Sequence, residues 1–208
     1  MWINSILNLI FPEKCFGCGK EKILLCQKCA AKLPYPETEK NEPDIFGAAS
    51  YESPVIKKLI KALKYKKAGR AAKPLAELLS SRLSPMFEVE LRTLVIIPIP
   101  LSPKRLRERG FNQAELIARH LSEIMSVKIL TNVLYKNRHT VSQVEIKDRQ
   151  KRLKNLEGTF SVKNAELIKD KEIFVLDDVS TTGATINEAR RALKKAGAKK
   201  VIGLVAAR

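Results

Sequence analysis

The sequence predicts an α/β protein, a parallel sheet flanked by helices with a small four-cysteine segment at its N-terminal end. Three observations carry this. Apolar β-branched runs alternate with amphipathic helical stretches from about residue 45 to 206. Such alternation builds parallel sheets with helices on both faces. Four cysteines fall between positions 15 and 29 and none elsewhere. The apolar run Ile173–Leu176 delivers Asp177 and Asp178 into a hydroxyl-rich turn that opens a helix.

The elements follow in chain order. Residues 2, 3, 6, 7, 9, 10 and 11 are apolar and mostly share one helical face, so the segment reads as a short helix packed on the protein. The cysteines follow, and then a Pro-rich polar linker over 34–44. We expect an N-terminal unit over 1–42 and a second domain over 43–208. Phe46–Tyr51 reads as a strand. Pro54 opens a helix with Val55, Ile56, Leu59, Ile60 and Leu63 on one stripe and Lys57, Lys58, Lys61, Lys64, Lys66 and Lys67 on the other face. A second helix covers about Pro74–Leu83, and Thr93–Ile97 is a buried strand ended by proline. Asn112 caps a helix to about Met125, with Glu115 completing a capping box. Val127–Tyr135 is strand-like, 136–157 is polar and basic, and Phe160–Val162 is a short strand. Glu172–Asp177, a helix over Gly183–Ala196 and the strand Lys200–Ala206 complete the fold, with Gly197 at the helix C′ position.

The net charge is +17, which favours a polyanionic partner: nucleic acid, an anionic surface or a phosphate-rich ligand. No run of 18 apolar residues exists, so no membrane-spanning segment is expected. The start of the chain lacks the basic leader and cleavage site of an exported protein. A cytoplasmic location is expected, with attachment at the inner face of the membrane as the alternative.

The spacing Cys15-x2-Cys18-x7-Cys26-x2-Cys29 makes two knuckles, and four thiolates suit tetrahedral zinc. Gly17 and Gly19 flank Cys18 and relieve the tight turn. Two disulfides are the alternative and need an oxidising compartment. A four-thiolate site is closed, so a structural metal is expected rather than a catalytic one. The histidines are not placed like ligands: His120 lies within a helix and His139 in the basic stretch.

The loop Asp178-Val179-Ser180-Thr181-Thr182-Gly183-Ala184-Thr185 suits a phosphate monoester. A helix start offers N–H groups and partial positive charge. Ser180, Thr181, Thr182 and Thr185 add hydroxyls, and Gly183 allows close backbone approach. Asp177 and Asp178 accept hydrogen bonds when ionised and suit the hydroxyls of a sugar held by that phosphate. No G-x-G-x-x-G follows this strand and no G-x-x-x-x-G-K is present, which excludes a dinucleotide fingerprint and a P-loop. A second loop, Pro98-Ile99-Pro100-Leu101-Ser102, is stiffened by proline and followed by Lys104, Arg105, Arg107 and Arg109. Arginine forks match phosphate oxygens, and Mg²⁺ held mainly by ligand oxygens and water would share a diphosphate's charge.

The thirteen residues I-F-V-L-D-D-V-S-T-T-G-A-T resemble the motif of the type I phosphoribosyltransferases. R-L-R-E-R-G-F-N-Q-A-E-L-I-A, the cysteine cluster and the segment Arg138-His139-Thr140-x-x-Gln143, Arg149, Arg152, Asn155, Gly158-Thr159-Phe160 together resemble the ComF family of competence proteins, the ComFC branch. That resemblance covers nearly the whole chain. It implies a phosphoribosyl-diphosphate site in which Asp177 and Asp178 hold the ribose and Val179–Thr185 the 5-phosphate. Ile99, Pro100, Leu101 and Ser102, with Arg105 and Arg109, would hold the diphosphate. It also implies that the segment after Tyr135 closes over the ligand, and that the protein handles single-stranded DNA beside a helicase-like partner during DNA uptake. The expected activity is phosphoribosyl transfer to an unidentified acceptor, whose pocket would be a hood to which the zinc segment contributes. A non-catalytic single-stranded DNA-binding or nucleotide-sensing module on the same fold is the alternative.

Overall fold

A computed structural model of the chain describes residues 14–36, 44–65, 68–83, 93–137 and 158–208. The expected helix over 2–11, most of the 34–44 linker, Lys66, Lys67 and the basic residues 138–155 lie outside these.

The first elements are a knuckle over 14–26, closed by the Lys14–Glu21 bridge, and α1 (Gln27–Ala31). Next come β1 (Ile45–Ala49), α2 (Pro54–Leu63), α3 (Ala68–Leu83), β2 (Leu94–Pro98), α4 (Pro103–Arg109) and α5 (Gln113–Met125). The chain continues through β3 (Lys128–Ile129), β4 (Leu134–Lys136), β5 (Phe160–Val162), β6 (Glu172–Val179), α6 (Ala184–Lys195) and β7 (Lys200–Ala207). The main sheet has the order β1-β7-β6-β2-β3, all parallel, with β6 at its centre.

Burial on both faces explains the continuous apolar strands. Alternate side chains of β2, β6 and β7 face opposite layers. Leu94, Ile96, Phe174, Leu176, Ile202 and Leu204 pack under α2, α3 and α5. Val95, Ile97, Ile173, Val175, Val201 and Val205 pack under α6 and the β4–β5 hairpin. Gly203 marks the tightest point, because a Cβ there would stand 2.4 Å from the Ile186 side chain.

Four expectations need correction. Helix α3 starts at Ala68, with Pro74 inside it. An internal proline removes one backbone bond. Here Ala71, Ala72, Leu75 and Leu79, all buried, hold the helix to the core on both sides of it. The strand-like run 127–135 splits. Leu130 N–H still donates to Ile96 O, but the chain then bends and hands β4 to an antiparallel pair with β5. The cations after Ser102 stand on a helix, α4, rather than on a loop edge; Ser102 caps it and Gly110 ends it at φ 78°. The capping box is only half made. Asn112 accepts from Ala114 N–H, whereas the Glu115 carboxylate pairs with Arg119.

Candidate sugar-phosphate site and metal centre

The central strand β6 ends in Asp177, Asp178 and Val179, still paired with β7 through Asp177–Val205 and Val179–Ala207. From β6 the chain turns by α6 to β7 on one side, while β2 leads by α4 and α5 to β3 on the other. The gap between β2 and β6 is therefore the topological switch point, where open α/β sheets bind ligands. Both predicted loops meet there. Ile99 N–H donates to Leu176 O at 2.8 Å, continuing the β2–β6 pairing one residue beyond the strand.

The loop after β6 is built by its own small residues. Ser180 N–H donates to Ala207 O, and Gly183 N–H donates to Ser180 Oγ at 3.1 Å. The Ser180 hydroxyl is thus buried and closes the loop as an acceptor, while Thr181 is exposed and Thr182 and Thr185 half-buried. Gly183 is at φ 67°, a region that a side chain disfavours, and no side chain caps the start of α6. The opening turn of α6 therefore faces the loop with the polarity expected of an anion-binding helix end.

The carboxylates are constrained. Asp177 Oδ1 accepts Asp178 N–H and Asp178 Oδ1 accepts Val179 N–H, each at 2.8 Å. Burial, and then the neighbouring Asp178 charge, pushes the Asp177 carboxyl well above the usual carboxylate range. The Lys136 charge opposes this, and a second cation, Lys64, pairs with Asp178. Lys64 Nζ, at the end of α2, stands 3.7 Å from Asp178 Oδ2. Lys136, at the end of β4, is itself held below the ordinary lysine range by burial and by Arg105, with Asp177 pulling the other way. The site is a cluster of opposed, half-buried charges.

The second loop is held from behind. Asn112 Nδ2 donates to Ile99 O at 2.9 Å while Asn112 Oδ1 caps α5, so one side chain fixes both the helix start and the loop. Ile99 is buried and offers the site only backbone. Pro100, Leu101, Ser102, Arg105 and Arg109 are half-buried, with Arg105 near enough to Lys136 to repel it and Arg109 on the side of Lys64.

The sulfurs of Cys15, Cys18, Cys26 and Cys29 all lie within 4.8 Å of one another. Zinc–sulfur bonds of about 2.3 Å imply tetrahedral sulfur separations of about 3.8 Å. Cys18 and Cys26 stand at 3.6 Å, and all four cysteines are free. Burial raises the Cys15 thiol, but the N–H groups of Cys26, Cys18 and Gly17 outweigh it and bring it down to about 6. Cys29 is pushed up to about 12 by Cys26 and Cys18. Such a cluster ionises its first thiols easily and its last with difficulty unless a cation sits among them, so the donors fit zinc. A Cβ at Gly17 would approach Cys29 Sγ to 2.7 Å, which explains the glycine. Among the described residues this is the one group of three or more metal-ligating side chains.

Three residues that local motifs did not flag shape these sites. Lys64 and Lys136 reach the carboxylates from distant elements. Arg82 of α3 is buried, donates to Leu33 O at 2.7 Å and lies over the Tyr35 ring at 3.7 Å, clamping the end of the cysteine segment to the sheet layers. The hints were faint: a lysine ending an otherwise regular stripe, and an arginine at the last apolar turn of a helix.

Comparison with known proteins settles the family. The chain is 30% identical over 200 residues to competence protein F of Haemophilus influenzae, covering 90% of this chain and 86% of that one. The chain belongs to the ComF family. Competence protein ComFC of Streptococcus pneumoniae is 41% identical over 105 residues, half of this chain and 44% of its own length. DNA utilization protein YhgH of Escherichia coli K12 is 27% identical over 183 residues, 86% of this chain and 75% of its own. A phosphoribosyl transferase domain matches residues 106–208 of this ComF protein, the region that contains β6 and its loop. Among solved structures, the glutamine phosphoribosylpyrophosphate amidotransferase of B. subtilis aligns at TM-score 0.44 and 18% identity, over 67% of this chain and 27% of that one. The allosteric regulatory enzyme of purine biosynthesis aligns at TM-score 0.41 and 20% identity, over 66% and 26%. Among the described residues no helix is long and apolar enough to cross a membrane.

Proposed function

We propose that this ComF protein binds phosphoribosyl diphosphate with Mg²⁺ at the carboxyl edge of its sheet, in the service of DNA uptake. Asp177 and Asp178 take the ribose hydroxyls, and Val179, Ser180, Thr181, Thr182, Gly183, Ala184 and Thr185 enclose the 5-phosphate. The Ile99–Ser102 loop takes the diphosphate, with Arg105 and Arg109 behind it. The observation that carries this reading is the pair of carboxylates on the central strand, directly followed by a glycine-opened helix at the switch point. The match to a phosphoribosyl transferase domain over 106–208 supports it. The DNA-uptake role rests on the names of the competence and DNA utilization relatives.

The chemistry available is positioning and charge neutralisation. Phosphoribosyl transfer develops positive charge on the sugar, and fixed carboxylates beside the ring suit that charge. Calorimetric titration with phosphoribosyl diphosphate and Mg²⁺ tests the donor site, and release of labelled diphosphate with candidate acceptors tests transfer. Saturable binding that ribose 5-phosphate cannot match supports a diphosphate subsite; no heat with any of these ligands overturns the reading.

A second reading, backbone contact with single-stranded DNA, is favoured by α2. Its Lys57, Lys58 and Lys61 are all exposed on one helix, although Lys57 is partly satisfied by Glu52 at 2.8 Å. Such contact weakens steeply with salt. Binding that ignores salt between 50 and 200 mM would count against it.

A further inference from the structure

A groove of about 1130 Å³ runs between the cysteine segment and one face of α3. No residue of the sugar-phosphate site lines it. From α3 come Pro74, Leu78 and Arg82, spaced as a single helical stripe. From the cysteine segment come Ile23, Leu25 and Ala30. Two of the side chains are unfinished. Ile23 is half-buried, yet packs with neither apolar layer of the sheet. Arg82 is 7% exposed, and while its Nη2 donates to Leu33 O, its Nη1 has no hydrogen-bond partner. A buried N–H of this kind calls for an acceptor, because leaving it unpaired is costly. What fills the groove must therefore offer an apolar face and at least one oxygen.

The chain itself carries such a piece. Residues 2–11 hold no charged side chain, and seven of the ten are large and apolar. Asn4, Ser5 and Asn8 supply side-chain oxygens, and a helix end supplies free carbonyls. The attachment point is close by. Cys15 N–H donates to Lys20 O at 2.8 Å, so residue 14 stands beside a residue that lines the groove. Only Pro12 and Glu13 separate residues 2–11 from Lys14. Ten helical residues span about 15 Å and the stretch from Pro74 to Arg82 about 12 Å, so the lengths match as well. Of the other stretches that border this region, residues 37–43 are polar and charged, and residues 84–92 are tied at both ends, to α3 and β2.

We propose that residues 2–11 dock as a helix in the groove between the cysteine segment and α3 of their own chain, with their apolar stripe on Ile23, Leu25 and Leu78 and one of their oxygens on Arg82 Nη1. A two-residue tether favours this over the same segment of a second copy, because a short link raises the effective concentration to the millimolar range or above. A membrane surface would cover the stripe but leave the Arg82 Nη1 without an acceptor and Ile23 without a neighbour. Docking also ties the two walls of the groove together, so the segment fastens the cysteine unit to the sheet layers from the side opposite Tyr35 and Leu33. It stands independently of the phosphoribosyl-diphosphate reading, which concerns other residues.

Trp2 is the single tryptophan of the sequence, so its fluorescence reports on the segment alone. In the full chain the expected signal is a blue-shifted emission with slow quenching by acrylamide, both unchanged on dilution. Ile23→Asp puts a charge on the groove side of the cysteine segment, and Ala31→Arg, at an exposed lining position, narrows the groove from the end of α1. Each should shift the Trp2 emission to the red and raise its quenching towards that of the denatured chain. Neither side chain packs in the sheet layers, so thermal melts of both variants should show the main domain still folded. A Trp2 that is solvent-exposed in the parent, or shielding that survives in both variants, overturns the proposal. Shielding that is lost on dilution overturns it in favour of a second copy. A blue shift that arises only when phosphatidylglycerol vesicles are added overturns it in favour of a membrane surface.

Discussion

The cysteine knuckle and the carboxyl edge of β6 both crowd like groups together, and they resolve the crowding in opposite ways. In the knuckle, four sulfurs within 4.8 Å face one another and form a closed set of donors. A metal among them relieves their repulsion and leaves no open position. At the carboxyl edge, Asp177 and Asp178 stand half-buried at the end of a buried strand, and their relief comes partly from Lys64 and Lys136 on other elements. The knuckle is built to be finished by an ion and then to hold the N-terminal segment. The edge has no such closed set of donors, which suits the proposed role of taking and releasing a ligand. On the proposed reading, crowding stabilises one region once a metal fills it and burdens the other until a ligand binds.

The largest expected effect breaks the first half of this contrast. Removing metal by chelation, or Cys26→Ser, should unfold the segment around 14–36 and cost several kcal/mol, since structural zinc contributes about 10–16 kcal/mol of apparent binding energy in small domains. Amide exchange over 14–36 reads this directly, and unchanged protection would remove zinc from the account. The next effect concerns the edge. Asp177→Asn with Asp178→Asn should weaken phosphoribosyl-diphosphate binding by at least about 100-fold, from the loss of charged hydrogen bonds of about 1.5–3 kcal/mol each.

The single Asp177→Asn change carries a sign of its own. The Asp177 carboxyl is raised in the folded protein, so its ionised form disfavours folding. Stability contributed by the neutral form is full below the ordinary carboxylate range and is lost as pH rises from there through the raised value. Asn carries no such penalty, so Asp177→Asn should melt higher than the parent at pH 7, by roughly 2–4 °C per kcal/mol recovered, and the gap should close in acid. A lower melting point at pH 7 would mean that Lys136 and Lys64 already over-compensate the charge.

Smaller effects sharpen the link between the two regions. Arg82→Ala should cost about 1–3 kcal/mol in thermal melts, because it strips the buried Leu33 carbonyl of its donor. Gly17→Ala should lower zinc affinity by about tenfold in competition with a chromogenic chelator, because its Cβ would push on Cys29 Sγ. Full affinity in that variant would show that the sulfur can move aside at no cost.

What could be read from the sequence was local in the chain. The Cys-x2-Cys pairs, the strand-to-helix run through Asp177 and Gly183, and the proline-ended β2 each lie within some fifteen residues, so spacing alone exposes them. Lys64, Lys136 and Arg82 act across gaps that no periodicity records, on groups contributed by other elements. Pro74 misled because proline at a first helical turn is the common case, while here buried alanines and leucines on both sides carry the helix through it. The split of 127–135 was equally hidden: Leu130 and Leu134 are buried in one core although their backbones pair with different sheets. Asn112 was legible as a cap, yet its second bond, to Ile99 O, depends on the fold bringing β2's end to the start of α5.

The donor site is probed most directly by paired titrations of the parent protein and the Asp177→Asn/Asp178→Asn variant with phosphoribosyl diphosphate and Mg²⁺, with thermal melts of both in parallel. The expected result is saturable binding by the parent, its loss in a variant that is folded and no less stable, and a ligand-induced rise in melting temperature for the parent alone. Equal binding by the two proteins would contradict the placement of the ribose on Asp177 and Asp178.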